Sequence, residues 1–147
     1  MFKNILIPTD GSVVSRQAIR AGIRLAQSLG AKVTGYYAMP LLQPSAFGDG
    51  DLIDRKTLMT LDRLARVTGE KYLDEIAQAA RAAGVDYAGL ISKPATTHEG
   101  IIEAARKKRC DAIFMASRGR SEIKKLLLGS VTQKVLSYSR VPVIVYR

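Results

Sequence analysis

The residues of this chain best placed for chemistry form a glycine-rich basic stretch between residues 117 and 130. It begins Ser-Arg-Gly-Arg and closes with Gly129-Ser130. Gly119 lets backbone amides approach a ligand without a Cβ in the way. Amides that open a helix have no partner within it and attract anions, and the Ser130 hydroxyl can cap such a helix or bind a phosphate oxygen. The spacing alone leaves two interpretations open, a phosphate-binding loop and an ordinary strand–helix connection.

Two well-known nucleotide fingerprints are absent from the sequence. Neither G-x-x-x-x-G-K-[ST] nor G-x-G-x-x-G occurs, which excludes a standard P-loop and a standard dinucleotide-binding turn. Any phosphate site in this chain must therefore be built in a different way.

The charge of the chain is strongly uneven. The net charge is +10, from 23 Lys and Arg against 13 Asp and Glu, and residues 104–147 hold 11 of the basic and only 2 of the acidic side chains. Such a surplus favours an anionic partner: nucleic acid, nucleotide phosphates or a membrane surface. One group of cations surrounds the glycine-rich stretch: Arg118, Arg120, Lys124 and Lys125. The other, residues 106–109, is typical of a solvated helix end. Because aromatic residues do not interleave with these cations, we expect a small anion rather than nucleic acid.

Other kinds of chemistry have little support. A single cysteine, Cys110, excludes a disulfide within the chain and a Cys-rich zinc site, and a single histidine, His98, excludes a multi-histidine metal centre. We expect Cys110 to be a small buried side chain and His98 to lie on the surface or at a helix entry. No catalytic triad or carboxylate pair can be assigned from spacing, so we predict no catalytic residue and no metal ligand.

Alternating strand and helix patterns predict the elements that position these residues. Strands are predicted over residues 5–7, 31–38, 86–92, 111–116 and 141–146, and helices over residues 18–29, 61–83, 101–109 and 130–138. Residues 39–56 are predicted to form a long loop. This alternation predicts one α/β domain, a doubly wound five-stranded parallel sheet with helices on both faces. Ligands of such sheets bind beyond the carboxyl ends of the strands, where the glycine-rich stretch begins.

Targeting signals are not evident. No apolar run reaches the length of a signal-peptide core or of a bilayer span. A free cysteine fits a reducing compartment. We therefore expect a cytoplasmic protein without a membrane partner.

Four segments of the chain are distinctive: Ile-Leu-Ile-Pro-Thr-Asp-Gly-Ser at residues 5–12, Met-Ala-Ser-Arg-Gly at 115–119, Leu-Leu-Gly-Ser-Val at 127–131 and Val-Pro-Val-Ile-Val at 141–145. With these segments the whole chain resembles the universal stress protein (UspA-like) family of small α/β nucleotide-binding proteins. ATP-binding members of that family carry G-x2-G-x9-G-[ST]. Gly119 and Gly129-Ser130 match its second half, whereas Ala116 stands where the family has the first glycine.

The resemblance implies a single universal stress protein domain over residues 1–147. Its sheet would have the order 3-2-1-4-5 and be Rossmann-like, of the adenine nucleotide alpha hydrolase-like type. It also implies ATP or AMP as ligand, with Mg2+ accompanying ATP, and a homodimer formed through the last strand, from Val141 to Tyr146. That strand is expected at a sheet edge, where exposed apolar residues invite pairing.

The resemblance also assigns roles to individual residues. Pro8, Thr9 and Asp10 would line the adenosine end, Ala38 would lie against the adenine, Met115 and Ala116 would form the floor, and Arg118, Gly119, Gly129, Ser130 and Val131 would hold ribose and phosphates. Asp10 has a second interpretation, as the cap of the first helix.

Three functions remain open at this point. The first, which we expect, is a regulatory protein of the stress response that binds an adenine nucleotide. The second is a slow Mg2+-dependent ATPase, and the third is a nucleotide-free dimeric interaction protein, which would follow if Ala116 closed the cleft.

Overall fold

Strands and helices alternate along the chain, as the residue pattern predicts. The computed structural model describes residues 1–42, 54–120 and 127–147. Within them lie β1 (Asn4–Pro8), α1 (Val13–Leu29), β2 (Lys32–Ala38), α2 (Arg55–Ala82), β3 (Tyr87–Ser92), α3 (Thr97–Lys107), β4 (Ala112–Ala116), α4 (Ser130–Tyr138) and β5 (Val143–Tyr146). No described helix is long and apolar enough to span a bilayer.

The strands form one parallel sheet with the order β3-β2-β1-β4-β5. This order confirms the predicted fold. The chain builds outward from β1 through β2 to β3, then returns to the other side of β1 with β4 and ends at the edge with β5. The order therefore reverses between β1 and β4, the place where open α/β sheets leave a crevice for ligands.

The central strands are buried because helices cover both faces of the sheet. Ile5 and Ile7 of β1 pack in one apolar cluster with side chains of α1 and α2. Leu6, between them, packs in a second cluster with side chains of α3 and α4. All three are fully buried, which explains why β1 is apolar without alternation.

The amino-terminal end of β1 is tied to the residue that precedes β4. The Asp111 carboxylate accepts hydrogen bonds from the backbone amides of Lys3 at 2.8 Å and Asn4 at 3.1 Å. The Asn4 side chain donates to the carbonyl of Lys108 at 3.0 Å. The basic run at residues 106–109 thus lies near the amino-terminal ends of the strands, opposite to the end that holds the glycine-rich stretch.

Polar caps set the ends of the helices. Ser12 caps α1 and accepts a hydrogen bond from the amide of Ser15 at 3.1 Å, so the interpretation of Asp10 as this cap is wrong. Gly30 ends α1 with a left-handed φ of 65°, as expected of a C-terminal glycine. Asp54 caps α2 and accepts from the amide of Thr57 at 2.6 Å.

Several predicted boundaries need correction. α1 begins at Val13, α2 at Arg55 and α3 at Thr97, earlier than predicted. The apolar spacing that predicts these helices begins only at residues 18, 61 and 101. The loop predicted over residues 39–56 therefore ends sooner, and its residues 43–53 lie outside the described part of the chain. β5 begins at Val143, after a turn in which the Ser139 hydroxyl bonds both the amide and the carbonyl of Val141.

Candidate functional site

A cavity of about 360 Å3 lies at the carboxyl ends of β1 and β4, where the strand order reverses. Ten of the eleven predicted site residues line it: Pro8, Thr9, Asp10, Met115, Ala116, Arg118, Gly119, Gly129, Ser130 and Val131. A second cavity of about 340 Å3 shares Pro8, Thr9 and Asp10 with the first and includes Ala38. The fold thus brings all eleven residues to two adjoining cavities, with Ala38 in one and the start of α4 in the other; we call the pair the cleft.

Asp10 joins the two loops that frame the cleft. Its Oδ1 accepts a hydrogen bond from the Ser12 amide at 2.9 Å, and its Oδ2 accepts one from the Arg120 amide at 2.7 Å. A Cβ added to Gly119 would lie 2.8 Å from the same Oδ2. Gly119 is therefore required by the close approach of the Asp10 carboxylate.

Thr9 shapes the first of these loops. Its buried hydroxyl accepts hydrogen bonds from the Gly11 amide at 3.2 Å and from the Ser15 hydroxyl at 3.0 Å. Gly11 has a φ of 77°, a left-handed conformation that glycine adopts without strain. This turn carries the chain from β1 into α1 and holds the Asp10 side chain at the cleft.

The first turn of α4 forms the other end of the cleft and is anchored to the end of β4. The Gly129 amide donates to the Ser117 carbonyl at 2.8 Å, and the Thr132 hydroxyl donates to the Ala116 carbonyl at 3.0 Å. Residues 129–132 all line the cavity. Arg118 lines the same cavity, and its positive charge together with the positive end of the helix dipole suits this cavity to an anion.

Comparison with known proteins agrees with the resemblance seen in the sequence. The model of the universal stress protein family matches residues 1–147. This chain belongs to the universal stress protein family. A universal stress protein of Methanocaldococcus jannaschii is 31% identical over 150 residues, which cover 100% of this chain and 83% of that relative.

Solved structures of universal stress proteins share the fold. A second protein of Methanocaldococcus jannaschii matches with a TM-score of 0.84 at 24% identity, covering 99% of this chain and 95% of that chain. A universal stress protein from Archaeoglobus fulgidus in complex with dAMP matches with a TM-score of 0.66 at 17% identity, covering 99% and 98%. A third structure, of a universal stress protein in complex with cAMP, has a TM-score of 0.63 at 21% identity, covering 99% of this chain and 97% of that chain.

Ala116 replaces the first glycine of the universal stress protein motif without closing the cleft. It forms part of the wall of the 360 Å3 cavity. Its carbonyl is held by Thr132, so the backbone at this position is tied to α4.

Arg118 and Arg120, two of the predicted cations, both line the larger cavity together with the start of α4. Arg120 also lines the second cavity, where its guanidinium donates to the hydroxyl of Tyr72 on α2 at 3.0 Å. The sequence does not predict this contact with α2. Lys124 and Lys125 lie outside the described residues.

Further cleft residues come from α3, none of which is among the eleven predicted site residues. Thr97 and Ile101 line both cavities. The α3 apolar pattern starts only at Ile101, and no recognised motif surrounds Thr97. Only the packing of α3 against the sheet places them at the cleft.

His98 and Cys110 lie where the sequence predicts. His98 is in the first turn of α3 and stacks on Tyr138, with ring centroids 6.0 Å apart. Cys110 is buried before β4, and burial raises the pKa of its thiol. Among the described residues, no group of three or more His, Cys, Asp or Glu side chains could hold a metal ion.

Proposed function

We propose that this universal stress protein binds an adenine nucleotide, ATP or AMP, as a regulatory ligand in the stress response. The observation that carries the proposal is that two adjoining cavities are lined, between them, by all eleven predicted residues. Each cavity has a volume in the range of small-molecule sites, about 300–1,000 Å3. The relatives in complex with dAMP and cAMP support an adenosine monophosphate group as the ligand.

The two ends of the cleft suit the two ends of a nucleotide. Ala38, Pro40 and Tyr37 give one end apolar surface for a base. At the other end, Arg118 and the first turn of α4 supply the positive charge and the amides that bind phosphate. The ribose would lie between them, beside Asp10.

Binding without turnover fits the residues better than hydrolysis does. Mg2+ in nucleotide sites is held by one or two carboxylates together with the phosphates. Asp10, a cleft carboxylate, already accepts backbone amides on both oxygens. We therefore propose a protein that binds the nucleotide without hydrolysing it. Mg2+ would be required only if the protein were the slow ATPase.

Calorimetry on protein freed of co-purified nucleotide tests this function. We expect AMP and ATP to bind with micromolar dissociation constants, about 8 kcal/mol of binding free energy at 1 µM. AMP should bind equally well with EDTA present. Inorganic phosphate is the control, and it should bind far more weakly because it fills only the α4 end. An absence of heat with ATP, ADP and AMP would favour the nucleotide-free interaction protein.

We also propose that two copies of the chain pair through β5. Within the described residues, β5 is an edge strand whose outer side pairs with no other strand. Its residues Val143–Tyr146 are apolar and half-buried, and such an edge invites pairing. The same strand carries the dimer that the resemblance implies.

Sedimentation equilibrium at micromolar concentration tests the dimer. We expect a mass twice the 16.0 kDa of the chain. Val145→Lys should shift the mass to that of one chain, because a charged edge strand resists pairing. Leu136→Lys, on the exposed side of α4, should leave the dimer intact. A wild-type species of 16.0 kDa would contradict the proposal.

The remaining parts of the proposal concern domain and compartment. We propose that residues 1–147 act as one universal stress protein domain, since the family model matches this whole range. We place the protein in the cytoplasm, where a single unpaired cysteine such as Cys110 stays reduced.

A further inference from the structure

Tyr72 on α2 reaches the cleft from an element outside the nucleotide motif. Its hydroxyl accepts a hydrogen bond from the Arg120 guanidinium at 3.0 Å. Its ring lies directly against Gly11, since a Cβ added there would be 2.2–2.5 Å from ring atoms. Tyr72 therefore touches both loops that frame the cleft.

The ring of Tyr72 is held from a second side by β2. Tyr37 packs edge-on against it, with ring centroids 5.7 Å apart and an interplanar angle of 77°. This is a favourable geometry for two aromatic rings. With Gly11 on one side and Tyr37 on another, the ring has little freedom and its hydroxyl is fixed in place.

Arg120 connects this tyrosine to Asp10. The Arg120 side chain donates to Tyr72, while its backbone amide donates to Asp10 Oδ2 at 2.7 Å. The Asp10 carboxylate in turn binds the Ser12 amide at 2.9 Å. Tyr72, Arg120, Asp10 and the turn at Gly11 thus form a closed ring of contacts, which we call the Tyr72 bridge. It joins α2, the β1–α1 loop and the loop after β4.

We infer that Tyr72 is a positioning residue for nucleotide binding. It acts through Arg120 to hold the loop after β4 against Asp10 before the ligand arrives. The inference rests on the proposed function and adds a residue from α2 to a site otherwise built from strand ends and from α3 and α4. Tyr72, Thr68 and Arg120 line the Ala38 end of the cleft, so the bridge sets the width of the end proposed for the base.

Preorganisation explains why such a bridge affects affinity. A loop that must be ordered on binding subtracts its ordering cost from the observed affinity, whereas a loop already held does not. The Tyr72–Arg120 bond fixes the side chain of the residue whose amide meets Asp10. Its removal should therefore weaken ligand binding while leaving the packing of the sheet unchanged.

Tyr72→Phe tests the inference because it removes only the hydroxyl and keeps the ring. We expect the affinity for AMP, measured by calorimetry, to fall about fivefold, the loss typical of one hydrogen bond. Arg120→Met should weaken binding at least as much, and Arg120→Lys should restore part of the loss. The double variant Tyr72→Phe with Arg120→Met should bind no more weakly than Arg120→Met alone, since both changes break the same bond.

Tyr138→Phe is the matched control. Tyr138 is exposed and stacks on His98 outside the cleft, so its affinity for AMP should equal that of the wild type. The thermal unfolding midpoint of Tyr72→Phe should also equal that of the wild type. A wild-type affinity in Tyr72→Phe, or additive losses in the double variant, would overturn the inference.

A second readout needs no nucleotide. Hydrogen exchange of the Arg120 amide, followed by NMR in the ligand-free protein, should be faster in Tyr72→Phe than in the wild type and unchanged in Tyr138→Phe. If the wild type binds no nucleotide but this exchange accelerates, the bridge stands and the proposed function fails. If the wild type binds AMP and Tyr72→Phe changes neither affinity nor exchange, the bridge fails and the proposed function stands.

Discussion

Gly119→Val is expected to weaken AMP binding about thirtyfold or more. A Cβ at this position would lie 2.8 Å from Asp10 Oδ2, closer than a Cβ atom comes to an oxygen in folded proteins, and valine adds two further methyl groups. Either the loop after β4 or the Asp10 side chain must move, and both movements disturb the bond between the Arg120 amide and the Asp10 carboxylate. A charge-assisted bond of this kind contributes about 2 kcal/mol, and 2 kcal/mol corresponds to about thirtyfold in affinity.

Calorimetry with AMP measures this loss, and Gly30→Ala provides a control that separates binding from stability. Gly30 ends α1 near the amino-terminal ends of the strands, away from the cleft, with a φ of 65° and open space around it. Alanine there strains the backbone by about 1 kcal/mol but leaves the cleft unchanged, so AMP should bind normally. An unchanged affinity in Gly119→Val would show that the ligand does not need this loop in its present place.

Ile76→Ala is expected to lower the free energy of unfolding by about 3 kcal/mol. Ile76 lies on the buried side of α2 with 0% of its surface exposed, in the cluster that includes Ile5 and Val33. Its truncation removes buried methyl groups and leaves a cavity that a close-packed sheet fills only in part. Since domains of this size are stable by about 5–15 kcal/mol, the loss is a large share of the total.

Urea denaturation followed by circular dichroism measures this effect, with Leu64→Ala as the matched control. Leu64 is on the same helix but 57% exposed, so its truncation should change stability by less than about 0.5 kcal/mol. Equal losses in the two variants would mean that α2 does not pack against the sheet as described.

The sequence predicts the strands well because burial on both faces leaves an unmistakable signal. Ile5, Leu6 and Ile7 form such a run, and the order of strands follows from the family resemblance. Helix starts are predicted poorly. The first turns of α2 and α3 are mostly polar, so apolar periodicity misses them.

In the site, too, some features can be predicted from the sequence and others cannot. Gly119, Gly129 and Ser130 are recognisable because they lie in one segment and match the second half of the motif carried by ATP-binding universal stress proteins. The bond from Arg120 to Asp10 joins residues 110 positions apart, and the bond from Arg120 to Tyr72 joins residues 48 apart. No local pattern encodes such contacts. They arise only when helices and strand ends are packed together, which is why the bond from Arg120 to Tyr72 was not predicted.

The attachment of β1 to Asp111 has a consequence for how the protein is made. Of the five strands, β1 leaves the ribosome first, and it can pair early with β2. Its other neighbour, β4, begins only at Ala112, so one side of the apolar strand β1 stays unpaired until β4 has been made. Unpaired strand edges of this kind are prone to aggregate and to recruit chaperones. The nascent chain therefore passes through a vulnerable interval that ends when β4 emerges, and the cleft is completed only after that step.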